Sequence, residues 1–263
     1  MDLNELKKYF INTEFFYYNN YLGVVKNIEY NKLSNCYVLY FHANSPKIVT
    51  ASYMLERYIA KLKQIRMLIL KDKKIHRLVH FTSLSNLESI LENGLLSRDI
   101  LDILSYDYVY SDPIRLDNKR DYISNSISFP NYKMFYSKMM ENPKKDWAVL
   151  SIDSDILVDK LDTEFYRTNC ASSSSLKCRY NPTSNDALED MFYVSDRDPQ
   201  IPSNFTTDPQ AEVMIKDRID PSYINCIDTQ IFNSDAYYLA NNFHVGYNDG
   251  PDLFTYRKDY KRW

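Results

Sequence analysis

The chain has 263 residues but only four glycines, Gly23, Gly94, Gly246 and Gly250. An average protein carries about 7% glycine. Neither a G-x-x-x-x-G-K run nor a G-x-G-x-x-G run can be assembled from these four. Both runs exist so that backbone N–H groups can approach phosphates closely. Their absence argues against a P-loop and a dinucleotide-binding Rossmann fingerprint. The remaining composition is that of a folded globular protein, with 44% hydrophobic and 25% charged residues, which excludes disordered, collagen-like and coiled-coil classes.

The formal net charge is −3. A nonspecific nucleic-acid binder usually carries a positive balance, so contact with a polynucleotide would need a local patch. The basic groups available are Lys61, Lys63, Arg66, Lys71, Lys73, Lys74 and Arg77, and a tail of Arg257, Lys258, Lys261 and Arg262. A solvated helix face and a frayed end are the plainer readings of these two groups. The 24 tyrosines and 13 phenylalanines offer flat faces for bases, although biased composition accounts for them as simply. Cys36, Cys170, Cys178 and Cys226 form no C-x-x-C pair, and His42, His76, His80 and His244 are scattered. No zinc spacing results, and no metal is expected. The start, MDLNELKKYF, lacks a basic stretch followed by an apolar core, and no apolar run reaches the length of a membrane span. A soluble cytoplasmic protein with free thiols and no membrane partner is expected.

Residues 22–50 read as closely spaced short strands, LGVVKNIEY, LSNCYVLYF and PKIVTAS, with a turn signal at Asn44-Ser45-Pro46. This predicts a small antiparallel, SH3-like barrel. A helix follows from about Ala51 to Leu70, where Leu55, Ile59, Leu62, Ile65 and Arg66 mix apolar and basic positions at spacings of three and four. The charged stretch Lys71–Lys74 divides the chain into an N-terminal module, 1–72, and a larger domain, 73–263. The domain opens with a strand, Ile75 to Phe81. A helix comes next, with Ser85 and Glu88 at capping-box spacing and Gly94 as its C-cap. In DYISNSISFP, Ile123, Asn125, Ile127 and Phe129 alternate with Ser124, Ser126 and Ser128. A helix begins near Asn131 and a strand at Trp147. Residues 165–209 have loop composition. QAEVMI, from Gln210, reads as a buried strand with Ser222–Ile227 as its neighbour. The pattern is α+β, without the regular alternation of a doubly wound sheet.

Three polar residues sit on or beside apolar strands: His80 in RLVHFT, Arg115 in DPIRLDNKRD and Glu212 in DPQAEVMIKD. A carboxylate on so apolar a run needs either a partner or a function. A structural ion pair is the alternative for Glu212, and a satisfied core histidine for His80. Arg120 competes with Arg115.

HRLVHFTSLSNLESILENGLLS, RLDNKRDYISNSISFPNYKMFY and QAEVMIKDRIDPSYI resemble, in order and spacing, three blocks of the DarT-like ADP-ribosyltransferase toxins. The resemblance covers about residues 75–230. It implies an ADP-ribosyltransferase fold, in which two small sheets form a cleft for NAD as co-substrate. The implied reaction transfers ADP-ribose to a nucleobase of single-stranded DNA, with RNA as the next acceptor, in a toxin–antitoxin or anti-phage setting. An antitoxin protein is then the expected partner. Glu212 and Arg115 would be catalytic. His80, Thr82, Asn86, Arg115 and Tyr132 would contact NAD, and Gln210 and Tyr136 the acceptor. Gln210 and Glu212 would share one strand face, with residues 195–208 facing the acceptor. The chemistry suits these types, because breaking the nicotinamide–ribose bond develops an oxocarbenium ion that a carboxylate stabilises. An arginine grips pyrophosphate through charge-assisted bonds. The competing readings are a protein ADP-ribosyltransferase and a non-catalytic binding module on the same fold.

Overall fold

A computed structural model describes residues 2–110, 115–172, 179–195 and 197–257. The chain forms two compact units, residues 1–65 and 66–263.

The first unit begins with helix α1 (Leu3–Phe10), capped by the Asp2 carboxylate, which accepts the Asn4 N–H at 3.1 Å. Strands β1 (Glu14–Tyr17), β2 (Asn20–Asn31), β3 (Cys36–Phe41) and β4 (Lys47–Thr50) follow as an antiparallel meander in that order. Irregular register between Phe15 and Phe16, and again between Val25 and Asn27, bends the sheet. Among the described ladders β1 and β4 do not pair, so the expected barrel is a curled open sheet. Strict alternation on β3 places Tyr37, Leu39 and Phe41 in a core with Leu6, Phe10, Phe15, Val25 and Ile28. Helix α2 (Ala51–Lys73) starts in this unit. Of the residues expected at helical spacing, Arg66 is buried, Leu62 and Ile65 are half-buried, and Leu55 and Ile59 are exposed; Met54, Ile69 and Leu70 are buried with Arg66.

The second unit contains β5 (Arg77–Ser83), α3 (Leu87–Asn93), β6 (Leu95–Leu96), α4 (Arg98–Ile103), β7 (Tyr122–Ile127), α5 (Tyr132–Glu141) and β8 (Trp147–Asp153). These are followed by α6 (Ile156–Asp159), β9 (Glu164–Tyr166), α7 (Asn185–Asp190), β10 (Glu212–Lys216), β11 (Arg218–Ile219), β12 (Ile224–Thr229), α8 (Ser234–Asn242) and β13 (Gly246–Asp249). Seven strands form one sheet in the order β13-β12-β8-β5-β7-β10-β9, and β6 pairs with β11 in a short ribbon. Two expectations are corrected here. β12 lies beside β8 and β13 rather than beside β10. The stretch 165–209, read as loop, includes part of β9 and all of α7. Both elements are too short to impose a periodicity on the sequence. No helix among the described residues is long and apolar enough to cross a membrane.

Helix α3 ends as expected. Gly94 has φ +84° and donates its N–H to the Ile90 carbonyl at 2.7 Å. The capping box does not form. Ser83 and Ser85 bond each other instead, and a turn at Leu84–Asn86 precedes α3. A Cβ at Gly94 would lie 2.2 Å from the Ile219 carbonyl oxygen. Gly94→Ala therefore combines left-handed strain with a backbone clash at the β6–β11 ribbon. We expect a loss of about 3 kcal/mol or more, read as a thermal midpoint lowered by roughly 10 °C.

Arg66 belongs to the core of this unit, with 1% of its surface exposed. Its Nε donates to Asn185 Oδ1 at 2.8 Å, Nη1 to the Leu157 carbonyl at 2.8 Å and Nη2 to the Thr183 carbonyl at 2.9 Å. The guanidinium also lies 5.0 Å from the Phe165 ring centroid. It is therefore no part of a basic surface patch. Arg257 is likewise buried, donating to the Thr206 carbonyl at 2.8 Å. Lys258, Lys261 and Arg262 lie outside the described residues.

Candidate active site

The cleft arises where the sheet splits. β5 pairs with β8 along its whole length, from Arg77↔Asp153 to Ser83↔Trp147. With β7 it shares only Leu78↔Ile127 and Val79↔Ser126. Beyond those pairs β7 runs with β10 instead, from Asn125↔Val213 to Tyr122↔Lys216. The two strands diverge, and the space between them is lined by His80, Thr82, Tyr122, Ser124 and Glu212, among others.

His80 stands at the point of divergence. Its Nδ1 is 2.9 Å from the Ser124 carbonyl oxygen, so a side chain supplies the bond that the ladder no longer makes. A carbonyl only accepts, which puts the proton on Nδ1 and leaves Nε2 as an acceptor. Burial pushes the His80 pKa down, opposed by the Ser124 bond and assisted by Arg115, and this favours the neutral ring.

Glu212 is the first residue of β10 and lies opposite Tyr166 of β9. Only 8% of its surface is exposed. Its Oε1 accepts from Ser124 Oγ at 3.1 Å, and Oε2 accepts from the Cys170 N–H at 2.8 Å. Burial raises its pKa above the ordinary carboxylate value. The two hydrogen bonds and Arg115 oppose that shift, and Asp117 adds to it. The result is a carboxylate in a fixed orientation whose proton affinity is raised above the ordinary.

Arg115 lines the same cleft. Asp117 grips it at both ends, Nε to Oδ1 at 2.9 Å and Nη2 to Oδ2 at 2.8 Å. Nη2 also reaches the Lys119 carbonyl at 2.7 Å and Nη1 the Tyr122 carbonyl at 3.3 Å. These contacts leave Nη1 with a hydrogen to offer a ligand. Burial alone would raise the Asp117 pKa, but the bonds from Arg115 and the Lys119 N–H hold it below the usual range. Arg120, the competing arginine, is half exposed, bonds Asp99 and Asp102 and does not line the cleft.

Thr82 and Asn86 line the cleft, but the Asn86 amide is committed. Its Nδ2 donates to Thr82 Oγ1 at 3.0 Å and to the Val109 carbonyl at 2.8 Å, while Oδ1 accepts the Val109 N–H at 3.0 Å. Asn86 thus anchors the segment carrying Tyr108, Val109 and Tyr110 to the cleft wall. Three other expected contacts are not brought to the cleft. Tyr132 is buried in α5, sharing a face with Phe135 at i, i+3. Its neighbours Asn131 and Met134 reach the cleft instead. Tyr136 points to solvent. Gln210 precedes β10, its N–H held by Asp208 Oδ1 at 2.7 Å, so strand alternation does not align it with Glu212.

Sequence reasoning missed the support of this site. Glu164 accepts from Lys119 Nζ at 2.6 Å, Tyr122 Oη at 3.1 Å and Tyr166 Oη at 2.7 Å. Arg98, above the Tyr110 ring, lines the cleft as well. The one legible signal was Asp117, two residues after Arg115 in RLD. Among the described residues no group of three or more His, Cys, Asp or Glu side chains is gathered for a metal.

A family model described as DarT, ssDNA thymidine ADP-ribosyltransferase, matches residues 79–236, more than half of the chain. No curated protein matches the sequence. Among solved structures, DarTG of Thermosipho africanus in complex with ADP-ribose is 22% identical over 68% of this chain, with a TM-score of 0.49. The match spans 51% of that chain, about half its length. DarT of Thermus sp. 2.9 in complex with NAD+ is 15% identical over 68% of this chain and 96% of its own, with a TM-score of 0.45. The same protein in complex with ADP-ribosylated ssDNA gives 15%, 68% and 96%, with a TM-score of 0.43.

Proposed function

The chain belongs to the DarT family of NAD-dependent, single-stranded-DNA ADP-ribosyltransferases, and we propose that it modifies thymine bases with Glu212 as the catalytic carboxylate. The observation that carries this reading is the buried Glu212 carboxylate, oriented at both oxygens, beside His80 and Arg115 where β5 and β7 part. We assign the reaction to residues 73–263, which contain the family match and the cleft.

In the proposed reaction the bond between nicotinamide nitrogen and ribose C1′ breaks, and its electron pair leaves with nicotinamide. Positive charge develops on the ribose, where the Glu212 carboxylate stabilises it. A ring nitrogen of an unstacked thymine forms the new bond to C1′, and its N–H proton passes to Glu212. The raised pKa of Glu212 suits it to take that proton. Neutral His80 accepts a ribose hydroxyl at Nε2, and Thr82 can donate its own hydroxyl. Arg115 offers Nη1 to the pyrophosphate, with Asp117 holding the guanidinium plane. Asn86 acts through the Val109 segment that it anchors, rather than by touching NAD.

An ADP-ribosyl group on the pairing edge of thymine prevents base pairing and so blocks copying of the strand. We therefore read the chain as a toxin that requires a neutralising antitoxin protein. The test is transfer from radiolabelled NAD to single-stranded DNA, RNA and total cell protein in parallel. Label on DNA alone is expected. Label on RNA or protein with none on DNA overturns the proposed acceptor.

A further inference from the structure

We propose that the N-terminal unit carries a separate binding surface for single-stranded DNA, centred on Tyr18 at the tip of the β1–β2 hairpin. Tyr18 and Asn19 form that tip with φ values of +47° and +67°. Two left-handed residues in a two-residue hairpin favour Asn, Asp or Gly. A tyrosine in the first position carries backbone strain, and strained positions concentrate where function holds them. Its ring gains no burial in exchange, being 71% exposed.

The surroundings have the chemistry of a stacking platform. The Tyr18 ring centroid lies 4.6 Å from that of Tyr17 and 5.4 Å from that of Tyr53, which hold it edge-on and tilted. Lys47 Nζ sits 4.8 Å from the Tyr17 centroid and has no carboxylate partner among the described residues. Phe16 and Tyr21, both exposed, form a second pair on the same hairpin at 5.3 Å. Charge is distributed to match. Residues 1–65 hold eight Lys and Arg against five Asp and Glu, in a chain whose net charge is −3.

Exposed aromatic faces beside an unpaired cation are what single strands use, with bases stacking and phosphates meeting the ammonium. In a duplex the bases are already stacked on each other. The choice of DNA over RNA rests on the acceptor proposed above; the surface itself does not.

The test is fluorescence anisotropy of the full chain without NAD, titrated with a labelled thymidine 20-mer, a duplex of equal length and a uridine 20-mer. Tyr18→Asn suits the turn better than tyrosine, so it removes the ring without endangering the fold. We expect it to weaken binding of the DNA strand about tenfold, whereas Tyr18→Trp retains it. Lys47→Ala should shallow the dependence of log affinity on log salt by about 0.7. Unchanged affinity in the Tyr18→Asn/Lys47→Ala double variant overturns the proposal, even if that variant loses a protein partner. Tighter binding of duplex or of the uridine strand overturns it too. Transfer from NAD is read on the same proteins. Tyr18-dependent binding without transfer supports this surface and counts against the acceptor reading. Transfer with binding indifferent to Tyr18 does the reverse.

Discussion

Glu212→Gln will lower ADP-ribose transfer by a factor of about 100–1000 or more, yet leave the protein folded and more stable at neutral pH. The loss follows from removing the charge that faces the developing cation and the group that takes the proton. The fold survives because Gln fits the same two partners. Its carbonyl can accept the Cys170 N–H, and its amide can donate to Ser124 Oγ. The gain in stability follows from the raised pKa. The folded state binds the Glu212 proton more tightly than the unfolded chain does. The cost of ionising Glu212 is therefore absent below the unfolded carboxylate pKa and grows as pH rises through the folded one. The difference in thermal midpoint between variant and wild type should be largest near neutrality and vanish at acid pH. The rate has the opposite slope. Transfer requires the ionised carboxylate, so its acid limb should lie above the ordinary carboxylate range. Full activity in Glu212→Gln would remove Glu212 from the mechanism.

Arg66→Ala will destabilise the second unit by about 4 kcal/mol, the largest effect expected on stability. Three backbone carbonyls and the Asn185 amide oxygen receive this guanidinium, and without it the buried Leu157 carbonyl and Asn185 amide oxygen and the half-buried Lys160 and Thr183 carbonyls lose a donor. The Phe165 ring also loses the cation above it. Arg66→Lys should recover part of the loss, since one ammonium cannot reach acceptors that a planar fork spans. Urea denaturation measures both. Arg66 does not line the cleft, so transfer by the folded fraction should be unchanged. Near wild-type stability in Arg66→Ala would show that the carbonyls find other donors.

The fold was legible where local chemistry is unambiguous. The strand through His80, the helix stop at Gly94, the helix start near Asn131 and the strand from Trp147 each carry a short-range signal, and each is present. Arg66 shows where such signals fail. Helical spacing groups Arg66 with Leu55 and Ile59 without saying which is buried; the charged residue is, because four oxygens from distant segments converge on it. β12 was misplaced for a related reason. Its alternation predicts a half-buried strand but does not name its neighbours.

Among the proposed site residues, His80, Arg115 and Glu212 stand out in the sequence by residue type on or beside apolar runs and by the order of three sequence blocks, and all three line the cleft. Gln210 fits a Q-x-E strand pattern and Tyr132 and Tyr136 offer rings for stacking, but none of the three lines the cleft. Strand β10 starts two residues too late for Gln210, and the core face of α5 claims Tyr132. The scarcity of glycine and the order of the blocks were enough to choose a class of nucleotide chemistry, since both are properties of covalent sequence. The divergence of β5 from β7, the tautomer of His80 and the proton affinity of Glu212 were not. Each depends on groups between 42 and 88 residues apart in the chain, brought together only by packing.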